Sequence, residues 1–326
     1  MKKGDILFAV ILGLVIPCLL YAAFEGKVLL DAPSQEPTKV SNQTESSVPE
    51  STQPGQYLQV VMPDGTQVQM ELEEYVTCAV LGEMPADFEL EALKAQAVVA
   101  RTYALRGNGW KHNGGAVCTD SGCCQAFSTQ QEYLDAGHTQ QDINRISDAV
   151  VQTAGKVLTY NGTLIEATYY SCSGGRTEDA VAVWGQDIPY LRSVESPGEE
   201  KAAWHSDRKD FTVAEFEQAL GISLTGVPGT WFGVITYTSG GGVKTADICG
   251  SSFPGTELRT KLNLRSTAFT LSASEQGVTV YTRGHGHRVG LSQYGADAMA
   301  LAGSDYQTIL RHYYPGTTVE MYPSSS

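Results

Sequence analysis

The segment GEMPADFELEALKAQAVVARTY, residues 82–103, carries the end of one helix, a turn and most of a second helix. Apolar residues recur at helical spacing from Glu71 to Gly82, and this first helix must end before Pro85. Asp87 can cap the second helix, which is predicted from about residue 89 to residue 105. The apolar face of that helix is predicted to hold Leu90, Leu93, Ala97, Ala100 and Ala104.

Strands are predicted on both sides of this helical pair. Residues 57–70 and 157–170 each have the pattern of a hairpin, with turns at Pro63-Asp64-Gly65 and Asn161-Gly162. Further helices are predicted at 143–152, 213–220, 292–301 and 306–313, and strands at 233–238 and 277–281. This mixture predicts an α+β fold, a single large domain (57–326) of two lobes with a cleft.

Glu83 is the strongest candidate for catalysis. It lies at the end of the first helix, where a carboxyl group can project into a cleft and where partial burial raises its pKa toward that of a general acid. Arg101, on the second helix, is predicted to face the same cleft. The competing interpretation is that both side chains are solvated surface groups.

The first 30 residues predict a membrane anchor. The chain is almost uninterruptedly apolar from Ile6 to Phe24, which is about the length that crosses a bilayer, and Lys2 and Lys3 place the N-terminus in the cytoplasm. A cleaved signal peptide is the alternative, because residues 21–23 include two alanines near the end of the apolar run. Either interpretation exports the rest of the chain, and the anchor predicts a single-pass protein of the cell membrane.

Composition limits the partners of the exported part. Residues 31–56 are rich in Ser, Thr, Gln, Pro and Glu, and they predict a disordered linker. The formal net charge is −14 and no basic stripe is present, which argues against binding to nucleic acid. An acidic exported domain suits neutral or cationic partners.

The segment HNGGAVCTDSGCCQAF, residues 112–127, holds three of the six cysteines that lie outside the predicted anchor. An even number of cysteines in an exported chain favours disulfides, but a domain of this size does not depend on them. A metal site and unpaired thiols are the other two explanations. Composition alone does not decide among disulfides, a metal site and unpaired thiols.

Three groups of motifs resemble the stage II sporulation protein D family, which is related to the amidase-enhancer proteins. The first group is EMP (83–85), EALKAQA (91–97) and ARTY (100–103). The second is SGGRTE (173–178), VWG (183–185) and PYL (189–191), and the third is GHRVGLSQYGA (286–296) and HYYPG (312–316). They are distributed over essentially the whole domain, so the resemblance covers all of it.

The resemblance implies a membrane-anchored lytic transglycosylase that cleaves peptidoglycan glycan strands during engulfment in sporulation. Glu83 matches the catalytic glutamate and Arg101 the motif arginine beside it, while Tyr190 and His287 match motif residues that we assign to substrate binding. The implied partners are glycan strands, a wall amidase and membrane proteins of the engulfment machinery.

The sequence departs from the family pattern at two positions. Tyr170 stands where many relatives have a histidine, and Arg288 replaces a common glycine. These departures concern the detail of the cleft and leave the implied reaction unchanged.

The implied reaction needs only one carboxyl group. A transglycosylase can use the C6 hydroxyl of N-acetylmuramic acid as the nucleophile, whereas an ordinary glycosidase needs two carboxyl groups. Glu166, Glu178 and Asp179 are more typical of structural or solvated groups, and Trp184 and Trp204 are either sugar-stacking platforms or core residues. The alternatives are a non-catalytic wall-binding or amidase-stimulating module, and a zinc hydrolase, for which the His-Glu-x-x-His pattern is missing.

Zinc is the expected cofactor. His112, Cys118 and Cys124 are spaced six residues apart in a glycine-rich loop, and one imidazole with two thiolates suits tetrahedral zinc with a fourth position open. Part of the sporulation family is similar here and binds zinc through such a His, Cys, Cys set. Cys123 is left as a surplus thiol or an alternative ligand.

Overall fold

A β-hairpin opens the described part of the chain. The computed structural model describes residues 56–107, 112 and 117–323. Strand β1 (Tyr57–Val61) pairs antiparallel with β2 (Gln67–Glu71), which confirms the predicted hairpin. Strand β3 (Val117–Cys118) lies parallel to β1 on its other edge, so the segment with the clustered cysteines starts beside the hairpin.

The predicted helical pair is confirmed as α1 (Leu72–Glu83) and α2 (Leu90–Arg106). Glu89, not Asp87, occupies the N-cap position of α2. The expectation of a single apolar face on α2 was too narrow, because all residues from 92 to 102 except Lys94 are buried, around nearly the whole helix. Alanines make up much of that stretch, and their small side chains let neighbouring elements approach α2 from several sides.

Two capped helices and the second predicted hairpin follow. The helices α3 (Gln130–Asp135) and α4 (Gln140–Gln152) each begin at a capping box, formed by Thr129 with Glu132 and by Thr139 with Asp142. Strand β4 (Lys156–Tyr160) turns into β5 (Thr163–Leu164) through Asn161 and Gly162, at φ 50° and 75°. These angles are those of the type I′ turn that the Asn-Gly pair predicts.

The predicted second strand of that hairpin was too long. The chain leaves the sheet after Leu164, and residues 169–170 form a separate strand, β6 (Tyr169–Tyr170). It is followed by β7 (Gly175–Arg176), α5 (Ala180–Trp184) and β8 (Glu195–Ser196).

The middle region contains two three-stranded antiparallel sheets. In chain order its elements are β9 (Ser206–Thr212), α6 (Val213–Leu220), β10 (Phe232–Tyr237), β11 (Val243–Ile248), β12 (Ser251–Pro254), α7 (Gly255–Lys261), β13 (Phe269–Ser274) and β14 (Gly277–Arg283). The strand orders are β10-β11-β12 and β13-β14-β9. A hydrophobic cluster confined to residues 211–280 holds this region together.

The C-terminal elements return to the first half of the chain. They are β15 (Leu291–Ser292), α8 (Gln293–Leu301), α9 (Tyr306–Tyr313) and β16 (Thr318–Met321). Strand β15 pairs parallel with β6, and β16 pairs antiparallel with β4. Because β15 leads directly into α8, this pairing places the third group of motifs beside β6.

The fold is α+β, as the sequence predicts. Helix α2 contributes side chains to two further hydrophobic clusters, one shared with α1 and α4 and the other with α8 and α9. Within residues 56–107, 112 and 117–323, no helix has the length and hydropathy of a membrane span. The predicted anchor (1–30) and all but the last residue of the predicted linker (31–56) lie outside the described residues.

Candidate active site and metal-ligand cluster

A cleft of about 1410 Å³ is lined by residues from all three groups of motifs. The end of α1 contributes Glu83, β6 contributes Tyr169 and Tyr170, and the segment before β15 contributes His287. Gln293 lines the cleft from the start of α8. The pairing of β6 with β15 brings these elements together around one opening.

Glu83 is held by hydrogen bonds at the end of α1. Its Oε1 accepts a hydrogen bond from the backbone N–H of Ala126 at 2.6 Å and another from the Tyr169 hydroxyl at 2.8 Å. Its backbone carbonyl accepts a hydrogen bond from the Gln293 side chain at 3.0 Å. Burial raises the pKa of the Glu83 carboxyl, and the hydrogen bonds from Ala126, Tyr169 and Gln293 oppose part of that rise. The predicted position of Glu83, at a helix end and facing a cleft, is confirmed.

Tyr169 connects Glu83 to a buried polar chain that sequence reasoning missed. Its hydroxyl lies 3.1 Å from Oε1 of Gln125, whose side-chain nitrogen donates to the Tyr75 hydroxyl at 3.1 Å. Burial and the nearby Glu83 raise the pKa of Tyr169 well above its ordinary value, so its hydroxyl keeps its proton. Tyr169 precedes the second group of motifs, but the sequence does not show whether Tyr169 or Tyr170 faces Glu83.

Arg101 does not face the cleft, and that prediction was wrong. Its side chain is fully buried and forms an ion pair with Glu73, with 2.5 Å between Nη2 and Oε2 and 2.8 Å between Nε and Oε1. It also donates to the backbone carbonyl of Lys156 at 3.0 Å. Glu73 lies at the start of α1 and Glu83 at its end, so about 15 Å of helix separates them. Arg101 therefore joins α2, α1 and β4 inside the fold.

Tyr190 is not one of the residues that line the cleft, although it contacts one of them, Glu166. Its ring packs against Tyr160 with 5.3 Å between centroids, and its hydroxyl accepts a hydrogen bond from the backbone N–H of Glu166 at 3.0 Å. The structure thus gives Tyr190 a packing role in the cluster around α2, beside the cleft, and its contact with substrate stays a prediction.

His287 does line the cleft. Its ring lies between Trp184 and Tyr170, with centroid distances of 5.2 and 5.5 Å. Its Nδ1 accepts a hydrogen bond from the backbone N–H of Val289 at 3.1 Å. Burial, aided by the positive charge of Arg259, lowers the pKa of His287 to about 4. The imidazole is therefore neutral at ordinary pH.

Two tryptophans offer flat apolar surfaces in the same cleft. Trp184 and Trp204 line it with 42% and 38% of their surface exposed. The guanidinium of Arg265 stacks on the ring of Trp204 at 3.7 Å from its centroid. Exposed aromatic faces in a cleft suit stacking against sugar rings, which favours the first of the two interpretations of these residues.

The structure brings the three predicted metal ligands together and adds a fourth. One ligand atom each from His112, Cys118, Cys123 and Cys124 lies within 4.8 Å of the others. Nε2 of His112 is 3.3 Å from Sγ of Cys124 and 3.5 Å from Sγ of Cys123. One imidazole and three thiols at this spacing fit the tetrahedral donor set of a structural zinc site. Cys123, the thiol that the predicted set of three ligands did not include, is thus a member of the cluster.

The segment that carries this metal-ligand cluster contacts Glu83, although the two are far apart in sequence. Cys124 lines the cleft, and the next residue but one is Ala126, whose N–H donates to Glu83. The backbone of this segment packs directly on the end of α1, because a Cβ at Gly82 would lie 2.7 Å from the backbone nitrogen of Phe127. The position of Glu83 therefore depends on the order of the segment that carries the thiols.

Comparison with known proteins identifies relatives over nearly the full chain. The family model described as stage II sporulation protein matches residues 65–160. The stage II sporulation protein D of Bacillus subtilis is 38% identical over 331 aligned residues, which cover 98% of this chain and 96% of the relative. The protein of the same name from Bacillus amyloliquefaciens is 34% identical, covering 95% and 92%.

A third relative has a different name. The amidase enhancer of Bacillus subtilis is 32% identical over 74% of this chain and 39% of its own length. Since two relatives above 30% identity are aligned over more than nine-tenths of both chains, the chain belongs to the stage II sporulation protein D family.

Proposed function

We propose that the protein is a lytic transglycosylase that cleaves peptidoglycan glycan strands and leaves 1,6-anhydro-N-acetylmuramic acid ends. The observation that carries the proposal is Glu83, a cleft-lining carboxyl group whose pKa is raised by burial and whose Oε1 is fixed by two donors. The exposed rings of Trp184 and Trp204 provide surfaces for a sugar polymer in the same cleft.

The first half of the reaction uses the protonated form of Glu83. The carboxyl group donates its proton to the glycosidic oxygen as the bond from that oxygen to C1 of N-acetylmuramic acid breaks. Burial favours the protonated state before this step. With Oε1 engaged by Ala126 and Tyr169, Oε2 is the oxygen that can carry the proton toward the substrate.

The second half uses the carboxylate that remains. It accepts the proton of the C6 hydroxyl while the C6 oxygen bonds to C1, so Glu83 is reprotonated and no water is consumed. Ala126 and Tyr169 stabilise the negative charge during the interval. Glu166, another carboxyl group in the cleft, is ion-paired with Arg106, which agrees with a reaction that needs one carboxyl group.

Zinc bound by His112, Cys118, Cys123 and Cys124 is part of the proposal. The donor set and its spacing support zinc, and a site with four protein ligands suits a structural role. Bound there, zinc would cross-link a glycine-rich segment and so order the backbone that donates to Glu83. Coupling between metal binding and local folding is usual in such sites.

The relatives suggest where the protein acts. Their names support a role in sporulation, and we propose that residues 1–30 anchor the chain in the cell membrane with the catalytic domain outside. The amidase enhancer supports association with a wall amidase. We propose membrane proteins of the engulfment machinery as further partners. It also supports a second candidate function, a non-catalytic module that stimulates an amidase.

The test is Glu83→Gln, which keeps shape and hydrogen bonding but removes the transferable proton. Cleavage of purified glycan strands should fall by orders of magnitude while strand binding is retained. Glu166→Gln is the matched control, because it neutralises another carboxyl group in the same cleft and should leave cleavage nearly unchanged.

Mass spectrometry of the products separates the candidates. Anhydro ends support the proposed reaction, and reducing ends would indicate a hydrolase. Strand binding without any product would favour the non-catalytic module. Near-normal cleavage by Glu83→Gln would remove Glu83 from the reaction.

A further inference from the structure

A second groove, of about 460 Å³, opens beside the main cleft. One wall includes Trp184 at the end of α5, and the other is built from α7 and the turn that follows it. Trp184 and His287 line both the groove and the cleft. A substrate in the cleft can therefore extend a substituent into the groove.

Arg259 supplies the charge of this groove. It lies in the last turn of α7, and its guanidinium makes no hydrogen bond or ion pair with another described residue. The acidic residue on the same helix, Glu257, is paired with Lys261 at 3.6 Å. Partial burial lowers the pKa of Arg259. Burial also lowers the pKa values of His285 and His287 in the cleft wall, and the positive charge of Arg259 adds to both shifts, at His285 together with that of Arg265. Arg259 thus lines a groove that shares Trp184 and His287 with the cleft.

The rest of the groove is neutral. The described residues that line it include no carboxylate, and three threonines and an asparagine surround Arg259. Placing a half-buried guanidinium without an anionic partner is unfavourable, and a bound anion would compensate for it. A carboxylate matches best, because the planar guanidinium presents two parallel N–H donors to its two oxygens.

We propose that this groove is a carboxylate subsite of the glycan cleft, in which Arg259 binds a carboxylate group of the substrate. The inference rests on the proposed glycan-strand substrate. Two parts of such a strand provide this chemistry: the lactyl carboxylate of N-acetylmuramic acid, which is free where the stem peptide has been removed, and the carboxylates of the stem peptide itself.

Binding measurements test the subsite without requiring turnover. Isothermal titration calorimetry of full-length protein carrying Glu83→Gln would compare peptide-free strands, peptide-bearing strands and N-acetylglucosamine oligomers, which have no carboxyl group. Adding Arg259→Gln should weaken binding of a carboxylated strand by about tenfold or more, and leave the oligomers unaffected. Arg259→Lys should recover part of the affinity, because it restores the charge but not the paired donors.

Lys261→Gln is the matched control, since it removes the same charge from the same helix without lining the groove. A selective loss with peptide-free strands identifies the lactyl carboxylate, and a selective loss with peptide-bearing strands identifies the stem peptide. Equal losses from Arg259→Gln and Lys261→Gln, or a loss that extends to the oligomers, would overturn the proposal. If the unmodified protein binds strands but yields no anhydro products, the proposed reaction is wrong, and the comparison of Arg259→Gln with Lys261→Gln still tests the subsite.

Discussion

Replacing Tyr169 with phenylalanine should raise the pKa of Glu83. The hydroxyl donates to Oε1 of Glu83 at 2.8 Å, inside the protein, and a hydrogen bond to a charged group contributes about 1.5–3 kcal/mol. The bond favours the ionised carboxylate and so holds its pKa down. Since one pKa unit corresponds to about 1.4 kcal/mol, Tyr169→Phe should raise the pKa by about one to two units.

The pH dependence of kcat/KM measures this shift. Glu83 must be protonated to act as a general acid, so the rate falls as pH rises through its pKa, which burial places above the ordinary value of 4.5. In Tyr169→Phe this alkaline limb should move to higher pH. Tyr294→Phe is the control, because it removes another hydroxyl from the cleft without touching a donor to Glu83. An alkaline limb that stays in place or moves to lower pH would refute the role given to Tyr169.

Arg101→Met should lower the free energy of unfolding by about 3–5 kcal/mol in a urea titration, because it leaves the Glu73 carboxylate without its buried partner. The exposed ion pair of Arg208 with Asp210 is the control, and Arg208→Met should lower the free energy of unfolding by less than about 1 kcal/mol. An Arg101→Met variant that is stable but inactive would indicate that Arg101 takes part in the reaction. Cys123→Ser should reduce bound zinc in elemental analysis, whereas full retention would support a site of only His112, Cys118 and Cys124. His287 should titrate near pH 4 in an NMR experiment, and a titration near pH 6.5 would contradict its burial. Its neutral, buried imidazole contributes fully to the free energy of unfolding above about pH 6.5. That contribution should be lost as pH falls toward 4, because only the unfolded chain takes up the proton between these two values.

The helical pair and Glu83 were predictable because local rules determine them. Apolar spacing gives both helices, and Pro85 forces the first to end where Glu83 can face a cleft. The partner of Arg101 was not predictable in this way. Helical periodicity shows that Arg101 lies on the second helix. It does not show whether the Arg101 side chain packs against the start of α1, near Glu73, or against its end, near Glu83.

The cysteine cluster was predictable in part for a similar reason. The regular spacing of His112, Cys118 and Cys124 favoured these three, and Cys123 was set aside. In the structure the backbone N–H groups of Cys123 and Cys124 both donate to the carbonyl of Asp120. This tight turn brings two adjacent thiols to one side, which adjacent residues of a strand would not do.

The hydroxyl of Tyr169 has a single hydrogen and two oxygen neighbours, Glu83 Oε1 at 2.8 Å and Gln125 Oε1 at 3.1 Å. When Glu83 is ionised, the hydrogen is best placed toward Glu83, and when Glu83 is protonated it can rotate toward Gln125. A rotation of one O–H bond then follows the charge of the carboxyl group through the proposed reaction, while the surrounding heavy atoms stay in place. Small reorganisation of this kind keeps the energetic cost of each proton transfer low.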